Sequence, residues 1–208
     1  MTRIKICGLQ DKSDLDGALA AGADAVGFVV EVERSRHCIT AADARELVRN
    51  VPVFVKSVVV ISPQDIDEAV RLSRETNADL LQVHSTLCAG DISALKGLVP
   101  QKVIVASPAE SEEVLAMAAV ADAVLLDTYK DGMLGGSGVA HDWNVSAALA
   151  RRLSVPVILA GGLQPENVCE AVRMVRPYAV DVSSGVETDG RKDALKMRAF
   201  VNGVKSCL

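Results

Sequence analysis

The chain alternates between short apolar runs and longer amphipathic segments, with eight of each. The apolar runs begin near Arg3, Gly22, Val53, Asn77, Lys102, Val120, Val155 and Pro177. The amphipathic segments span residues 13–21, 41–50, 62–76, 91–98, 111–119, 143–153, 165–175 and 191–206. Parallel strands need crossover connections, and helices usually provide them, so this alternation predicts a parallel sheet covered by helices.

Eight such units form either a closed (β/α)8 TIM barrel or an open doubly wound sheet. Four of the apolar runs resemble one another: GADAVGFV, NADLLQVH, VADAVLLD and PYAVDVSS. Paired units in four copies favour the barrel, and the first run lacks the G-x-G-x-x-G of dinucleotide-binding open sheets. Although 208 residues are few for a fold that typically has about 250, we predict an eight-stranded parallel (β/α)8 TIM barrel. It forms a single domain over residues 1–208.

Composition limits the partners of the chain. Half of the residues are hydrophobic but only 3% are aromatic, which suits buried parallel strands rich in Val, Leu, Ile and Ala. The formal net charge of −5 argues against a nucleic-acid surface, which needs basic patches. The cysteines form no disulfide framework or metal-binding spacing, and neither a signal peptide nor a membrane-spanning run is evident. We expect a cytoplasmic protein, monomer or homodimer, that acts on a small molecule without metal, nucleic acid or membrane.

Chemically active residue types collect where the predicted strands end, and in a TIM barrel these carboxyl ends form the active face. Cys7 follows the first strand, Gln82 and His84 end the fourth, and Asp127 ends the sixth. Alternate residues of a strand share a face, so Lys5 lies on the same face as Cys7. We therefore expect these side chains to surround one site.

Each of these residues also has a structural interpretation. Cys7 is either a reactive thiol or a small buried hydrophobe. Asp127 is either a general acid with a raised pKa, because its strand neighbours are apolar, or a loop cap. Lys5 is either a Schiff-base lysine or a buried cation paired with an acidic neighbour. His84 is a base, a metal ligand or a hydrogen-bonded structural residue, and with Gln82 it is a candidate for substrate binding.

The loops after the last two strands are rich in glycine and serine. Gly161 and Gly162 follow the seventh strand, and Ser183, Ser184 and Gly185 follow the eighth. TIM barrels commonly hold a phosphate in these two loops, on backbone N–H groups that glycine leaves accessible. We therefore predict a barrel of the phosphate-binding type, with simple turn chemistry as the alternative.

The loop after the sixth strand, KDGMLGGSGVAHDW, is long and contains four glycines and the tryptophan. A mobile flap over a substrate has this composition, and so does an ordinary flexible loop.

Taken together, these residues resemble the phosphoribosylanthranilate isomerase family of the tryptophan pathway, over nearly the whole chain. The resemblance is carried by an ordered set of motifs: KICG, GADAVGF, LLDT, GGSG with DW, LAGGLQPENV and VDVSSGVE. It implies a (β/α)8 barrel without metal or cofactor, in which Cys7 matches the general base and Asp127 the general acid. The implied reaction is an Amadori rearrangement: the acid opens the ribose ring to an iminium, and the base removes the proton from C2′.

The sequence departs from the family at two places that concern the substrate. After GGSG, the common Lys and Thr are replaced by Val139 and Ala140, and His141 stands where an aromatic residue is usual. In the stretch ERSRHCIT, the family arginine that follows a serine by two residues is His37, and Arg36 precedes it. We predict that Arg36 holds the anthranilate carboxylate, because arginine stays charged and presents a bidentate fork; the alternative is His37.

Three other functions remain compatible with the sequence. A different phosphosugar isomerase or synthase of the histidine or tryptophan pathway would share the phosphate loops. A Schiff-base lyase would depend on Lys5, and borohydride trapping would reveal it. A non-catalytic barrel would bind phosphate without turnover.

Overall fold

Eight parallel strands close into a barrel, as the alternation predicts. The structure, a computed structural model, describes residues 1–84, 87–130, 133–134 and 142–207. Each barrel strand pairs in parallel with its neighbours, and pairing of the first strand with both the second and the eighth closes the ring. In chain order the barrel strands β1 to β8 are Arg3–Ile6, Ala25–Val30, Lys56–Ile61, Leu80–His84, Lys102–Pro108, Ala123–Asp127, Val157–Leu159 and Ala179–Val182.

The helices of the described residues follow the strands around the outside. They begin and end within about four residues of the amphipathic segments, since periodicity locates elements better than it locates their ends. Helices α1 to α8 are Lys12–Ala21, Ala41–Val48, Ile66–Thr76, Ala89–Leu98, Val114–Val120, Trp143–Arg152, Val168–Val175 and Ala194–Lys205. None of these helices is long and apolar enough to cross a membrane.

One predicted segment is partly wrong, and the difference matters for the site. The sequence pattern places residues 191–193 in the last helix, but Arg191–Lys192 pairs antiparallel with Glu187–Thr188. These two short strands are called the terminal hairpin below. Gly190, with φ of 78°, makes its turn, and Asp193 caps α8 with its side chain. A short 3₁₀ helix, Ser184–Val186, joins β8 to the terminal hairpin.

Alternation along the strands divides the core into two regions. One set of side chains points outward and packs against the helices, as Phe28 and Val105 do. The other set points into the barrel, where Val58, Ile104 and Leu125 belong to a separate apolar cluster. Toward the carboxyl ends of the strands this interior becomes polar.

The amino-terminal end of the barrel holds none of the candidate site residues. A cavity of about 750 Å³ opens there, and its lining includes Pro156, Arg173 and Tyr178. Val53 and Phe54, predicted to open the third strand, instead lie exposed in the loop before β3. The candidate site residues therefore lie at the opposite end, where the strands have their carboxyl ends.

Three of the four repeated runs place an aspartate where it joins two neighbouring strands. Each aspartate precedes β2, β4 or β6 and accepts a hydrogen bond from a backbone N–H near the start of the preceding strand. The pairs are Asp24 with Ile4 (2.9 Å), Asp79 with Ser57 (2.9 Å) and Asp122 with Val103 (2.8 Å). The aspartate that recurs in the sequence thus corresponds to a hydrogen bond that recurs in the structure and joins the amino ends of adjacent strands.

Replacing Asp79 should test this bond. Partial burial favours its protonated form, but hydrogen bonds from Ser57 and the nearby Lys56 outweigh it and lower the pKa of Asp79. We expect Asp79→Ala to lower the free energy of unfolding by about 1–3 kcal/mol at pH 7, since hydrogen bonds to charged groups contribute that much. The loss should shrink as pH falls below about 4, because the unfolded carboxyl of the parent then binds a proton that the native one, with its lowered pKa, binds only at lower pH.

Denaturant unfolding at pH 7 and pH 3 measures both effects. Asp67→Ala, which removes an exposed carboxylate of α3, is the control and should change stability by less than about 0.5 kcal/mol. Equal losses for the two variants would contradict a strand-joining role.

Candidate active site

A buried ion pair between Lys5 and Asp181 lies inside the barrel near the carboxyl ends of the strands. The two residues are register partners on β1 and β8, and Lys5 Nζ is 3.0 Å from both carboxylate oxygens. Burial favours the neutral amine, but the charge of Asp181, together with the contact with Cys7, outweighs this effect and raises the pKa of Lys5. Of the two alternatives for Lys5, the structure favours the buried cation paired with an acidic neighbour, because a Schiff-base lysine needs a free amine.

The Cys7 thiol projects into the same interior, next to Lys5. Gly27 on β2 provides the space: a Cβ there would lie 2.7 Å from Cys7 Sγ and 3.0 Å from Lys5 Cε. Burial raises the pKa of the Cys7 thiol above its ordinary value, and the Lys5 charge opposes this rise. The resting thiol is thus protonated at neutral pH, beside a cation that favours the thiolate.

Asp127, at the end of β6, is also buried in this interior. Burial raises its pKa to about 6, against a hydrogen bond from the backbone N–H of Thr128, and Asp181 adds to the rise. That N–H lies 2.7 Å from Asp127 Oδ1. A carboxyl group with this pKa can hold and give up a proton near neutral pH, as a general acid must.

Gln82 and His84 lie on β4, with both side chains directed into the barrel. Gln82 Nε2 and His84 Nε2 are 3.0 Å apart. Burial, helped by the Lys5 charge, lowers the pKa of His84 to about 4, so its imidazole is neutral at pH 7. Gln82 Oε1 is buried and has no hydrogen-bond partner among the described residues. Whichever way the amide is turned, one of its polar atoms has no partner among the described residues.

The loops after β7 and β8 lie against each other. Gly161 and Gly162 both have positive φ, of 80° and 63°. A Cβ on Gly161 would lie 3.0 Å from Asp127 Oδ1, and a Cβ on Gly185 would overlap the Leu163 carbonyl. These glycines therefore allow the close packing of the two loops and of the acid beside them. Ser184 begins the 3₁₀ helix.

Arg36 and His37, the two candidates for the carboxylate, share one partner. Arg36 pairs with Oε2 of Glu187, and His37 Nε2 lies 2.8 Å from Oε1. Lys192 Nζ donates to the same Oε1 at 2.7 Å and to Ser183 Oγ at 3.2 Å. The structure therefore brings both candidates to Glu187, next to the loop after β8.

Three residues that the sequence does not single out belong to this site: Gly27, Glu187 and Lys192. Gly27 belongs to the run GADAVGFV and Glu187 to the motif VDVSSGVE, but no local sequence pattern indicates a role for either residue. Lys192 is masked by the amphipathic pattern that places it in the last helix. Val139, Ala140 and His141, with most of the predicted flap, lie outside the described residues.

Comparison with known proteins agrees with this architecture. Residues 4–203 match the family described as N-(5'phosphoribosyl)anthranilate (PRA) isomerase. The N-(5'-phosphoribosyl)anthranilate isomerase of Methanothrix thermoacetophila is 54% identical over 207 residues, which cover 100% of both chains.

Two solved structures are similar over nearly their whole length. A phosphoribosyl anthranilate isomerase from Thermus thermophilus has a TM-score of 0.85 at 35% identity, covering 100% of both chains. Another, in complex with reduced 1-(o-carboxyphenylamino)-1-deoxyribulose 5-phosphate, has a TM-score of 0.83 at 31% identity. That match covers 99% of this chain and 100% of the other.

The raised pKa of Asp127 predicts that its charge destabilises the fold. The native carboxyl, with a pKa of about 6, binds its proton more tightly than the unfolded one, so stability falls as pH rises from about 4 through 6. Asp127→Asn removes the charge and keeps an oxygen for Thr128, so it should raise the free energy of unfolding at pH 7 by about 1–3 kcal/mol. The gain should vanish toward pH 4.

Denaturant unfolding across this pH range measures the effect. Asp181→Asn is the contrasting variant: it leaves Lys5 buried without its partner and should destabilise by about 3–5 kcal/mol. If Asp127→Asn instead lowers the free energy of unfolding at pH 7, the buried charge of Asp127 does not destabilise the native state.

Proposed function

Because the chain belongs to the N-(5'-phosphoribosyl)anthranilate isomerase family, we propose that Cys7 and Asp127 are the base and acid of its reaction. The enzyme is an isomerase of tryptophan biosynthesis and converts N-(5'-phosphoribosyl)anthranilate to 1-(2-carboxyphenylamino)-1-deoxyribulose 5-phosphate. The observation that carries the proposal is that both side chains enter the barrel beside the same Lys5–Asp181 pair.

Asp127 acts first, as the proton donor to the ring oxygen of the ribose. Its pKa of about 6 leaves roughly a tenth of the groups protonated at pH 7, and a driving force for proton transfer remains. Protonation lets the ring open, and the electron pair on the substrate nitrogen forms an iminium. A carboxyl with an ordinary pKa would hold its proton far more rarely at this pH.

Cys7 then removes the proton from C2′ as the thiolate, after its thiol has released its own proton to solvent, and the transfer leaves Cys7 as the neutral thiol. Its thiol is neutral in the resting site because burial raises its pKa, whereas a positive charge favours the thiolate. Lys5 supplies one such charge permanently, and the iminium supplies a second at the step when the base is needed. The resulting enol becomes the ketone of the product.

The remaining site residues are proposed to bind the substrate. Gly161 and Gly162, with Ser183, Ser184 and Gly185 from the neighbouring loop, surround the phosphate group. Gln82 and the neutral His84 offer the unpartnered amide atom of Gln82 to a polar group of the substrate. Arg36 and His37 face the carboxylate.

We further propose that the enzyme works as a monomer or a homodimer. All proposed site residues lie on this one barrel, which is compatible with a monomer and with a homodimer. The five cysteines are free, which fits a reducing compartment, and we assign the enzyme to the cytoplasm.

Loss of either reacting group should abolish turnover with little loss of binding. We expect Cys7→Ser and Asp127→Asn each to lower kcat by about 10²–10⁴-fold, the usual contribution of a positioned acid or base, with KM changed far less. The fluorescence of phosphoribosylanthranilate, followed during its consumption by purified protein, measures both constants. Near-normal kcat in either variant would remove that residue from the mechanism.

Gly27 should be essential for a steric reason alone. In Gly27→Ala the added Cβ, 2.7 Å from Cys7 Sγ, must displace the thiol, and displacement of a reacting group by about 1 Å can lower the rate about 10²-fold. We expect kcat to fall to that extent and KM to change little. If the effect acts through Cys7, the same substitution in a Cys7→Ser background should have little further effect.

Gly97→Ala is the matched control. A Cβ on Gly97, in the last turn of α4, meets nothing within 4 Å. This variant should keep full activity and gain roughly 0.5–1 kcal/mol of stability, as alanine does in a helix. Equal kcat in the Gly27 and Gly97 variants would contradict the steric argument.

A further inference from the structure

We propose that Glu187 is a positioning residue for the carboxylate of the substrate: it holds Arg36 and His37, while the buried Lys192 neutralises it. This inference rests on the proposed function, since it concerns the anthranilate carboxylate of the same substrate. It explains why an acidic residue lies at the centre of a site that binds an anion.

The terminal hairpin fixes Glu187 and Lys192 as a pair. They are directly opposite residues of the antiparallel register, and opposite residues share one face of a hairpin. Their side chains are only 4% and 2% exposed, and Lys192 Nζ is 2.7 Å from Glu187 Oε1. Lys192 also donates to the backbone carbonyl of Ser183 at 3.1 Å. The pair is therefore anchored to the end of β8 and does not depend on the substrate.

Glu187 then determines how Arg36 and His37 are presented. Burial favours its neutral form, but hydrogen bonds from His37 and Lys192 lower its pKa to about 2, so it is ionised at working pH. Since a carboxylate only accepts hydrogen bonds, His37 Nε2 must carry the hydrogen, and a neutral His37 has a bare Nδ1. That Nδ1 faces the loop after Cys7, because a Cβ on Gly8 would lie 3.1 Å from it.

The charges around Glu187 favour an anion. Arg36 and Lys192 contact its carboxylate, and Lys196 Nζ donates to its backbone carbonyl at 2.6 Å. Two cations on one carboxylate leave a net positive charge at the side-chain level, even with a neutral His37. Without Lys192, the Arg36–Glu187 pair alone would be neutral and its carboxylate would repel that of the substrate.

Preorganisation is the gain that Glu187 provides. The Arg36 side chain is 57% exposed and lies on a loop, so it would otherwise sample many rotamers. Contact with Glu187 engages one terminal nitrogen and leaves the other donors of the guanidinium available to a ligand. An arginine that is already held loses less side-chain entropy on binding, which amounts to about 0.5–1.5 kcal/mol per ordered side chain.

The test compares two ligands that differ only in the carboxylate. One is reduced 1-(o-carboxyphenylamino)-1-deoxyribulose 5-phosphate, and the other is the same compound without the carboxyl group. Calorimetry gives the ratio of their dissociation constants for the parent and for Glu187→Gln. We expect the preference for the carboxylated ligand to fall by up to about tenfold in the variant, because loss of the held arginine outweighs the removed repulsion between Glu187 and the ligand. The kcat for the natural substrate should change less than about threefold.

Two further variants separate positioning from folding. Glu187→Gln leaves Lys192 buried without a charged partner, so the double variant Glu187→Gln/Lys192→Met, which removes both buried charges, is measured beside it. The ratio of dissociation constants cancels effects on the shared phosphosugar, and it should fall in this variant too. Thr188→Val is the control: it removes the 2.7 Å hydrogen bond from Thr188 to Asp193 in the same hairpin, and the ratio should stay at the parent value.

The outcomes are distinct. An unchanged ratio in both Glu187 variants, or an equal fall in Thr188→Val, would overturn the role of Glu187. Failure of the parent to bind either ligand would instead overturn the proposed function. If Glu187 acts through Arg36, its substitution should change the ratio much less in an Arg36→Met background; an undiminished effect would also contradict the proposal.

Discussion

The Lys5–Asp181 ion pair is the interaction on which the polar interior of this barrel depends. Two charges taken out of water are stable there only because each is the other's partner at 3.0 Å. Their fields reach the groups around them: Lys5 lowers the pKa of His84 and opposes the rise at Cys7, whereas Asp181 adds to the rise at Asp127. One structural pair thus influences the protonation of three candidate groups.

The barrel places these groups by strand register and makes room for them with glycine. The lower interior is filled by side chains such as Ile104 and Leu125, so the polar layer above it has an apolar floor. A Cβ on Gly27 would lie 2.7 Å from Cys7 Sγ, and a Cβ on Gly161 would lie 2.3 Å from Thr128 Oγ1 and 3.0 Å from Asp127 Oδ1. Asp127 is held where its charge is unfavourable, which lowers the stability of the fold and leaves this proposed acid with a pKa near neutral pH.

The fold was predictable because strand and helix patterns can be recognised within short stretches of sequence. Much of the site was predictable because the barrel brings the carboxyl ends of its strands together. Cys7 and Asp127 stand out because strand ends meet at one face of a barrel. Gly27, Glu187 and Lys192 could not be found in this way, since their roles depend on contacts between residues far apart in the chain. The amphipathic pattern around Lys192 runs on without a break into helix α8. The turn at Gly190 nevertheless places Lys192 in the second strand of the terminal hairpin.

The choice between Arg36 and His37 shows which parts of the site tolerate change. The proposed base, Cys7, follows β1 directly and the proposed acid, Asp127, ends β6, and a shift of one residue in either strand would turn its side chain to the other face. Arg36 and His37 lie on a loop, and their positions are set by Glu187, which accepts hydrogen bonds from both. An arginine one position earlier in the loop, such as Arg36, can still reach the carboxylate of Glu187. The departure from the family pattern therefore falls where a shared partner, and not strand register, determines the geometry.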